Sequence, residues 1–322
     1  MRVAAVVPNW NGRRWLPGCL ASLAAQTRPA DEIVVVDNAS TDGSVAWLRE
    51  HWPQVRVVAL PHNTGFAGGA NAGIAAAADA DALALVNTDV ELAPDWLART
   101  VAVLERDARC ASVATKMVDL ADPGVLYDTG DILRRDGVCE QRGRFRRDDG
   151  RWDEPGEVFA ACAGAALYRR EPVVQAGAFD ERFFAYLEDV DLGLKLRLAG
   201  WTCRYEPVVA RHAGSGSSEG LRRPVAGWAA RNTVLLVARA YPWRWAPLVA
   251  YRQAAWLWHA AREGRPALRA HVAGLASALP LLPAMWRERR GLRARAVVPV
   301  DEAVPAVPWR GEGAGGHPRT AW

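Results

Sequence analysis

Three acids, Glu188, Asp189 and Asp191, crowd the segment Phe183-Phe-Ala-Tyr-Leu-Glu-Asp-Val-Asp191, just ahead of an apolar stretch with helical character. A carboxylate packed among aromatics and other acids is more basic than a solvated one, and a poor hydroxyl nucleophile needs such a base. Two other segments run an apolar strand straight into an acid, Val34-Val-Val-Asp37 and Leu83-Ala-Leu-Val-Asn-Thr-Asp89. Asp37 stands where nucleotide-binding sheets hold a ribose or base, because a carboxylate accepts two hydrogen bonds from adjacent donors. Asp42, followed by Gly43 and Ser44, reads as a helix cap instead. A lone carboxylate at the end of a buried strand, as at Asp89, needs a hydrogen bond or a metal. A hard divalent cation there would complete its octahedron with diphosphate oxygens. His212, after a strand and before a glycine-rich loop, is the candidate for a further ligand, although lone histidines are more often structural.

Two loops complete the candidate set. The turn Val7-Pro8-Asn9-Trp10-Asn11-Gly12 follows the first strand, where a dehydrogenase would show Gly-x-Gly-x-x-Gly; it does not, which disfavours a nicotinamide-dependent oxidoreductase. Asn63-Thr-Gly65-Phe-Ala-Gly-Gly-Ala-Asn71-Ala-Gly73 concentrates four glycines ahead of a helix. Such glycines admit backbone amides close to an anion, and they serve tight turns and helix packing equally well.

The elements that position these residues alternate. Strands are expected at 3–7, 33–36, 55–59 and 82–86, and helices at about 13–25, 43–51, 68–78 and 94–106. Short Val-rich runs between helices predict parallel strands covered on both faces, with ligands at their carboxyl ends. Residues 121–157, rich in Gly, Asp and Arg, read as a solvated surface loop or hairpin. Apolar structure resumes at 158–168, an acidic helix is expected around 187–199, and a strand at 203–209 ends near His212. Segment 214–224 looks flexible. Residues 225–295 are helical and rich in Trp (Trp228, Trp243, Trp245, Trp256, Trp258, Trp286), and the stretch 270–286, with Pro280 and Pro283, suits an in-plane amphipathic hairpin better than a spanning helix. Arg287, Arg289, Arg290, Arg293 and Arg295 follow, and aromatics beside an arginine cluster suit an anionic membrane surface; core-packing helices with a solvated basic end would leave the same pattern. The tail from 299 on reads as disordered.

With 322 residues, half of them hydrophobic, the chain can build a large core. Five scattered cysteines without Cys-x-x-Cys spacing argue against a disulfide framework or zinc site and fit a reducing cytoplasm. The apolar run at Val3–Val7 is too short for a signal peptide. Net charge is only +4 and the only lysines are Lys116 and Lys195, so nothing selects a nucleic-acid partner.

In this order, the motifs Val-Val-Pro-Asn-Trp-Asn-Gly, Val-Val-Asp-Asn-Ala-Ser-Thr-Asp-Gly-Ser, Asn-Thr-Gly-Phe-Ala-Gly-Gly-Ala-Asn-Ala-Gly, Asn-Thr-Asp, Phe-Asp-Glu-Arg-Phe-Phe-Ala-Tyr-Leu-Glu-Asp-Val-Asp-Leu and Arg-His-x-Gly-x-Ser make residues 3–235 resemble glycosyltransferase family 2. The likeness is strongest to its rhamnosyltransferase branch, which builds bacterial surface polysaccharides. The resemblance implies a GT-A fold: a Rossmann-like mixed sheet flanked by helices, in an α/β domain over 1–224. Its nucleotide-sugar half would span about 1–120 and its acceptor half 121–224, followed by a helical, membrane-associating extension at 225–298 and a disordered tail at 299–322. It implies Asp189 as catalytic base with Glu188 as a tuning neighbour, and Asp89 with His212 as ligands of Mn²⁺ or Mg²⁺. Here the family's Asp-x-Asp motif reads Asn87-Thr88-Asp89, so its first acid is replaced. Pro8, Asn9, Asn11, Asp37, Asn63, Gly65, Asn71, Asn87, Thr88, Gly164 and Arg231 are the implied nucleotide-sugar contacts. Asp191 is expected to cap the helix or pair with Arg197 or Arg204. The implied donor is dTDP-rhamnose or a UDP-hexose and the acceptor a saccharide or polyprenol-linked saccharide, with inversion at the transferred carbon. The protein would be cytoplasmic, peripheral at the inner face of the cell membrane. A non-catalytic saccharide-binding protein on the same fold is the alternative.

Overall fold

The computed structural model describes residues 1–214 and 222–306. The chain opens with β1 (Val3–Asn9), α1 (Leu16–Ala24), β2 (Glu32–Asp37), α2 (Ser44–His51), β3 (Arg56–Ala59), α3 (Gly65–Ala76) and β4 (Ala82–Val86). These four strands lie parallel in the order β3-β2-β1-β4, with Asn9 level with Asp37. Alternate residues of β1 explain why both faces are covered. Val3, Ala5 and Val7 pack on Leu16 and Leu20 of α1 on one side, while Ala4 and Val6 pack on Ala70 and Ile74 of α3 on the other. Gly73 lets α3 approach, since a Cβ there would lie 2.2 Å from Val6 Cγ1.

The second half turns the sheet from parallel to mixed. It contains β5 (Val90–Leu92), α4 (Trp96–Arg106), β6 (Cys110–Asp119), β7 (Leu126–Asp128), β8 (Asp131–Leu133), β9 (Cys139–Gln141), β10 (Gly156–Val158), β11 (Ala165–Arg169), α5 (Arg170–Gln175), α6 (Glu188–Leu198) and β12 (Thr202–His212). Strand β11 inserts antiparallel between β4 and β6, β12 runs parallel to β6, and β5 pairs with the far end of β12. Strand β6 has no counterpart in the expected elements. Its Thr115-Lys116 interrupts the apolar run, and Lys116 is buried because it pairs with Asp148 and, at 2.5 Å, with Asp153.

Several expectations are corrected. Helix α1 starts at Leu16 rather than 13, because the Gly12 carbonyl is taken by Trp15 N and Leu16 N in a turn; α3 starts three residues early, at Gly65. Residues 121–157 are not a solvated excursion: Leu126, Asp128, Thr129, Asp131 and Ile132 are buried, and β8 and β9 form a hairpin there. Of the segment expected to be flexible, residues 215–221 lie outside the described residues, and α7 (Arg222–Ala240) already includes 222–224.

Beyond α7 come α8 (Ala246–Glu263), α9 (Arg265–Ala278), α10 (Leu282–Arg295) and α11 (Val300–Ala303). The expected hairpin over 270–286 does not form. Leu279 to Leu282 keep right-handed helical dihedrals, and Pro280 and Pro283 fall in first turns where no amide is needed, so 265–295 is one helical run of 31 residues. That run is long and apolar enough to cross a membrane by length and composition alone. Arg289 leaves the exposed basic cluster: it is buried, donating to Ala238 O at 2.9 Å and to Tyr241 O at the carboxyl end of α7. The tail is ordered at least to residue 306, with Val304 fully buried and Arg135 donating to the Val304 and Asp301 carbonyls; 307–322 lie outside the described residues.

Helix α6 joins the two layers. Leu192 and Leu196 face the sheet, while Val190, Leu194 and Leu198 pack with Leu235, Tyr241, Trp245 and Met285 of the helical region. Asp191 pins the joint. It accepts Arg239 Nη1 on both oxygens at 2.7 Å and Lys195 at 3.3 Å, not Arg197 or Arg204, which reach Glu157 and Asp107 instead. Arg239 also binds Asp180, whose carboxyl settles at about 2 despite its burial, because Arg182 and Arg239 hold its charge. Removing one partner of such a buried network leaves a stranded charge. Arg239→Ala is therefore expected to destabilise the protein by about 3–5 kcal/mol in urea unfolding, against under about 1 kcal/mol for exposed Arg151→Ala.

Candidate active site

The turn after β1 binds the turn after β2. Asn9 Nδ2 donates to Asp37 Oδ1 at 2.8 Å and to Ser40 Oγ at 3.2 Å, and Asp37 Oδ2 accepts from Ser40 N at 3.0 Å. Asn11, at φ 51°, accepts from Thr41 N at 2.8 Å and donates its own amide to Ser40 Oγ at 2.9 Å. Asp42 stands one residue before Gly43, which occupies the cap position of α2 expected for it; its carboxylate still accepts from Ser44 N at 3.1 Å and from Arg13 N at 2.8 Å, tying the helix start to the turn after β1. Asp37 is buried, with both oxygens engaged.

The glycine-rich loop is held by a residue that sequence reasoning passed over. Asn38 accepts from Thr64 N at 2.8 Å and donates to Gly65 O at 2.7 Å, fixing the start of α3 beside β2. Its only sequence signal is its place directly after a strand-ending acid. Asn63 Oδ1 caps Gly65 N at 2.8 Å. Gly65 has φ 74°, and a Cβ there would lie 2.2 Å from Phe184 O, so the loop needs glycine for conformation and for close approach. Pro8 lies next to Gly69. Asn71 belongs to a different job: its amide is spent on Phe179 N, Phe179 O and Glu181 Oε1, bracing the chain ahead of α6.

A continuous line of contacts crosses the carboxyl ends of the strands. A Cβ on Gly12 would meet both Asn9 Oδ1 (2.5 Å) and Thr88 Oγ1 (2.9 Å). Asn87 N donates to Gly164 O at 2.8 Å, and the next amide back, Ala163 N, donates to Asp189 Oδ2 at 3.1 Å. Beyond Thr88, Asp89 Oδ1 lies 3.2 Å from His212 Nε2, both side chains buried, with the Tyr127 ring against the imidazole at 4.2 Å. Asp37, Asp89, Asp189 and His212 thus share one edge. Arg231 stands apart from the strand ends: it is half-buried, donating to Phe183 O at 2.6 Å and to Asn232 Oδ1 at 2.9 Å, and burial pushes its pKa down.

The two acids opening α6 differ in their donors. Asp189 accepts from Ala163 N and, at 2.8 Å, from Val190 N, while Glu188 Oε2 is buried with no hydrogen-bond partner. Burial raises both carboxyls above their ordinary range, and the Asp189 and Asp191 charges raise Glu188 further. Two backbone donors favour the ionised form of Asp189, whereas Glu188 Oε2 has none to offset its burial. Asp128 and Asp131 from the β7–β8 turn extend this acidic group. Burial pushes Asp128 up to about 7 and Asp131 well above its ordinary value, the latter aided by the Asp128 and Asp189 charges. Neither was anticipated, since the surrounding Gly and Arg content masked an Asp-x-x-Asp flanked by Leu126 and Ile132.

Asp89 and His212 offer one carboxylate oxygen set and one imidazole nitrogen to a divalent ion. Among the described residues no cluster of three His, Cys, Asp or Glu side chains forms, so a divalent ion held here would take two donors from the protein and the rest from a ligand's oxygens. Gly214 N donates to His212 Nδ1 at 3.2 Å, which puts the proton on Nε2, toward Asp89. Nε2 would be free to ligate a cation only with the ring proton on Nδ1, which would break the Gly214 N–H bond, so a cation arriving with an anionic ligand would have to rearrange the pair.

Known proteins resemble the chain in family and in fold. The model of "Glycosyl transferase family 2" matches residues 4–175. An N-acetylglucosaminyl-diphospho-decaprenol L-rhamnosyltransferase of Mycobacterium tuberculosis is 30% identical over 255 residues, covering 71% of this chain and 82% of the relative. The O-antigen biosynthesis protein RfbC of Myxococcus xanthus is 29% identical over 208 residues, 62% of this chain and 16% of the relative. Among solved structures, a mannosyltransferase of Pyrobaculum calidifontis in complex with GDP-Man and Mn²⁺ superposes at TM-score 0.54 with 21% identity, covering 91% of this chain and 85% of that one. GalNAc-T7 with UDP, GalNAc and Mn²⁺ superposes at TM-score 0.60 with 17% identity, covering 76% of this chain and 48% of that one. The mixed sheet flanked by helices is a GT-A fold, and the chain belongs to glycosyl transferase family 2.

Proposed function

We propose that the protein is an inverting sugar transferase that moves a hexose, rhamnose favoured, from a nucleotide donor to a saccharide or lipid-linked saccharide acceptor in bacterial surface polysaccharide synthesis. The observation that carries this reading is that Asp37 bonded to Asn9, Gly12 packed between Asn9 and Thr88, and Asn87 bonded to Gly164 with Ala163 bonded to Asp189 all lie along one sheet edge, which supports a carboxylate base near the strand ends. The rhamnosyltransferase relative favours dTDP-rhamnose over a UDP-hexose and a polyprenol-linked acceptor over a free one.

The residues divide the work. Asp37, Asn9 and Asn11 hold the nucleoside end of the donor, with Pro8 shaping the wall, while Asn63, Gly65, Asn87, Thr88 and Gly164 line the path toward the diphosphate. Asp89 and His212 hold Mn²⁺ or Mg²⁺, which when bound supplies positive charge for the diphosphate leaving group. Asp189 takes the proton from the acceptor hydroxyl as that oxygen attacks the sugar carbon opposite the departing diphosphate, so one displacement inverts the centre. Glu188, whose carboxyl pKa is raised by burial and by the neighbouring Asp189 charge, stands beside the base as the residue that tunes it. Exposed Trp243, Tyr251, Trp258, Leu279 and Trp286, with exposed Arg287, Arg290 and Arg293, suit docking at the cytoplasmic membrane face, where a lipid-linked acceptor would lie.

Asp189→Asn is expected to lower kcat by about 10²–10⁴-fold while the donor Kd stays within about twofold. Turnover near wild type would remove Asp189 from the base role. A thermal-shift panel of nucleotide sugars with Mn²⁺ should single out the donor, and His212→Ala should abolish the Mn²⁺-dependent part of that shift while sparing any metal-free part. Glu188 gives a prediction that needs no substrate. Its folded pKa is raised, so its stabilising contribution is present below the unfolded value of about 4.3 and is lost as pH rises through the folded pKa. Glu188→Gln should therefore raise Tm at pH 8, with the gain shrinking toward pH 4; a gain independent of pH would mean that Glu188 titrates normally.

A further inference from the structure

Three of the four residues before the two acids of α6 are strained. Phe184 has φ 62° and ψ −66°, and Ala185 N donates back to Phe183 O at 2.7 Å, which is the high-energy form of the γ-turn. Tyr186 follows at φ 71° and Leu187 at φ 68°, so three of the residues 184–187 occupy positive φ and none is glycine. Side-chain-bearing residues stay there only where the surroundings hold them.

What holds them comes from α7, some forty residues later. The fully buried amide of Asn232 donates to three carbonyls of the loop, Phe183 O at 3.0 Å, Ala185 O at 2.9 Å and Tyr186 O at 2.6 Å. Arg231 adds a bond to Phe183 O at 2.6 Å and fixes the Asn232 amide through its Oδ1 at 2.9 Å. Phe184 O, the carbonyl that Asn232 does not reach, accepts from Ala67 N of the glycine-rich helix start at 3.1 Å. The Trp228 ring covers the loop, 5.1 Å from Phe184 and 6.3 Å from Tyr186. Two residues past the strained segment stands Asp189.

We infer that Asn232, oriented by Arg231, is a positioning residue for the transfer reaction: it clamps the strained 183–187 loop and thereby sets the Asp189 carboxylate against Ala163 at the sheet edge. The inference rests on Asp189 being the base, but the clamp itself can be tested without it. Released carbonyls would let the loop relax to negative φ, and Asp189, two residues on, would move with it. A misplacement of about 1 Å at a reacting group lowers turnover about 100-fold.

Asn232→Leu keeps the volume and removes the donors. Hydrogen exchange read by mass spectrometry should show lost protection over residues 183–191 and little change in the peptides of β1, β4 and β11. With the donor identified by thermal shift, kcat should fall about 100-fold and donor Kd stay within about twofold. Phe184→Gly added to Asn232→Leu should recover part of both, because glycine occupies positive φ without penalty. Unchanged exchange over 183–191 would overturn the clamp. So would kcat and donor affinity falling together in proportion to lost folded protein, or no recovery with glycine. If Asn232→Leu does not fold, Arg231→Gln leaves Asn232 in place but unoriented, and the same exchange signature, at smaller amplitude, decides. If wild type transfers no sugar, the exchange result still stands and only the role of Asp189 is lost.

Discussion

The bond from Ala163 N to Asp189 Oδ2 is the hinge on which the site turns, because it joins the sheet to the helical layer at the one place where both carry functional groups. It exists because β11 runs antiparallel between β4 and β6, with Ala165 level with Val86. That register carries residues 162–164 past the end of β4 and alongside Asn87, whose amide binds Gly164 O. A parallel strand in the same slot would point its amino end the other way and leave the 163–164 amides at the opposite edge. The mixed sheet is thus a requirement of the site.

Burial of acids is the second constraint. Glu188, Asp189, Asp128 and Asp131 share one region, and among the described residues no ion pair is made to Glu188, Asp189 or Asp131, although Arg144 bears on Asp128 and Asp131 from a distance. Such a group cannot be fully ionised, so the order of ionisation is set by donors. Asp189 accepts from two backbone amides, one on each oxygen, whereas Glu188 and Asp131 each leave one buried oxygen without a partner. Burial of several acids together disfavours their full ionisation, an arrangement that functional sites use more than cores do.

How much of this the sequence disclosed follows from what each residue interacts with. Strands β1, β2 and β4 are legible because both faces are buried by local helices, which forces continuous Val and Ala runs ending in Asn9, Asp37 and Asn87-Thr-Asp89. Strand β6 is hidden because the ion pairs that make Lys116 tolerable come from residues 148 and 153, and the burial of the hairpin expected within 121–157 is hidden because Asp131 looks solvent-loving. The partner of Asp191 could not be read either: Arg239 is 48 positions away, and nearer arginines are equally good by type. Asn38, Asn71 and Asn232 show the same limit. A side-chain amide can bind a substrate or a backbone, and only geometry says which.

That limit bears most on the helical region, whose composition alone suggested an attachment to something outside the protein. Its exposed Trp and Arg residues keep that character, but its buried face is committed inward. Arg239 grips Asp191 and Asp180, Arg289 closes the end of α7, and Asn232 takes three carbonyls of the loop before Asp189. Helix α6 is therefore positioned from both sides, by the sheet through Leu192 and Leu196 and by the extension through Val190 and Leu194. A helix so constrained holds the acids at its first turn within a narrow range of positions. Its strained entry is held by that same layer, so any shift of α7 relative to α6 would be felt at the Asp189 position through Asn232.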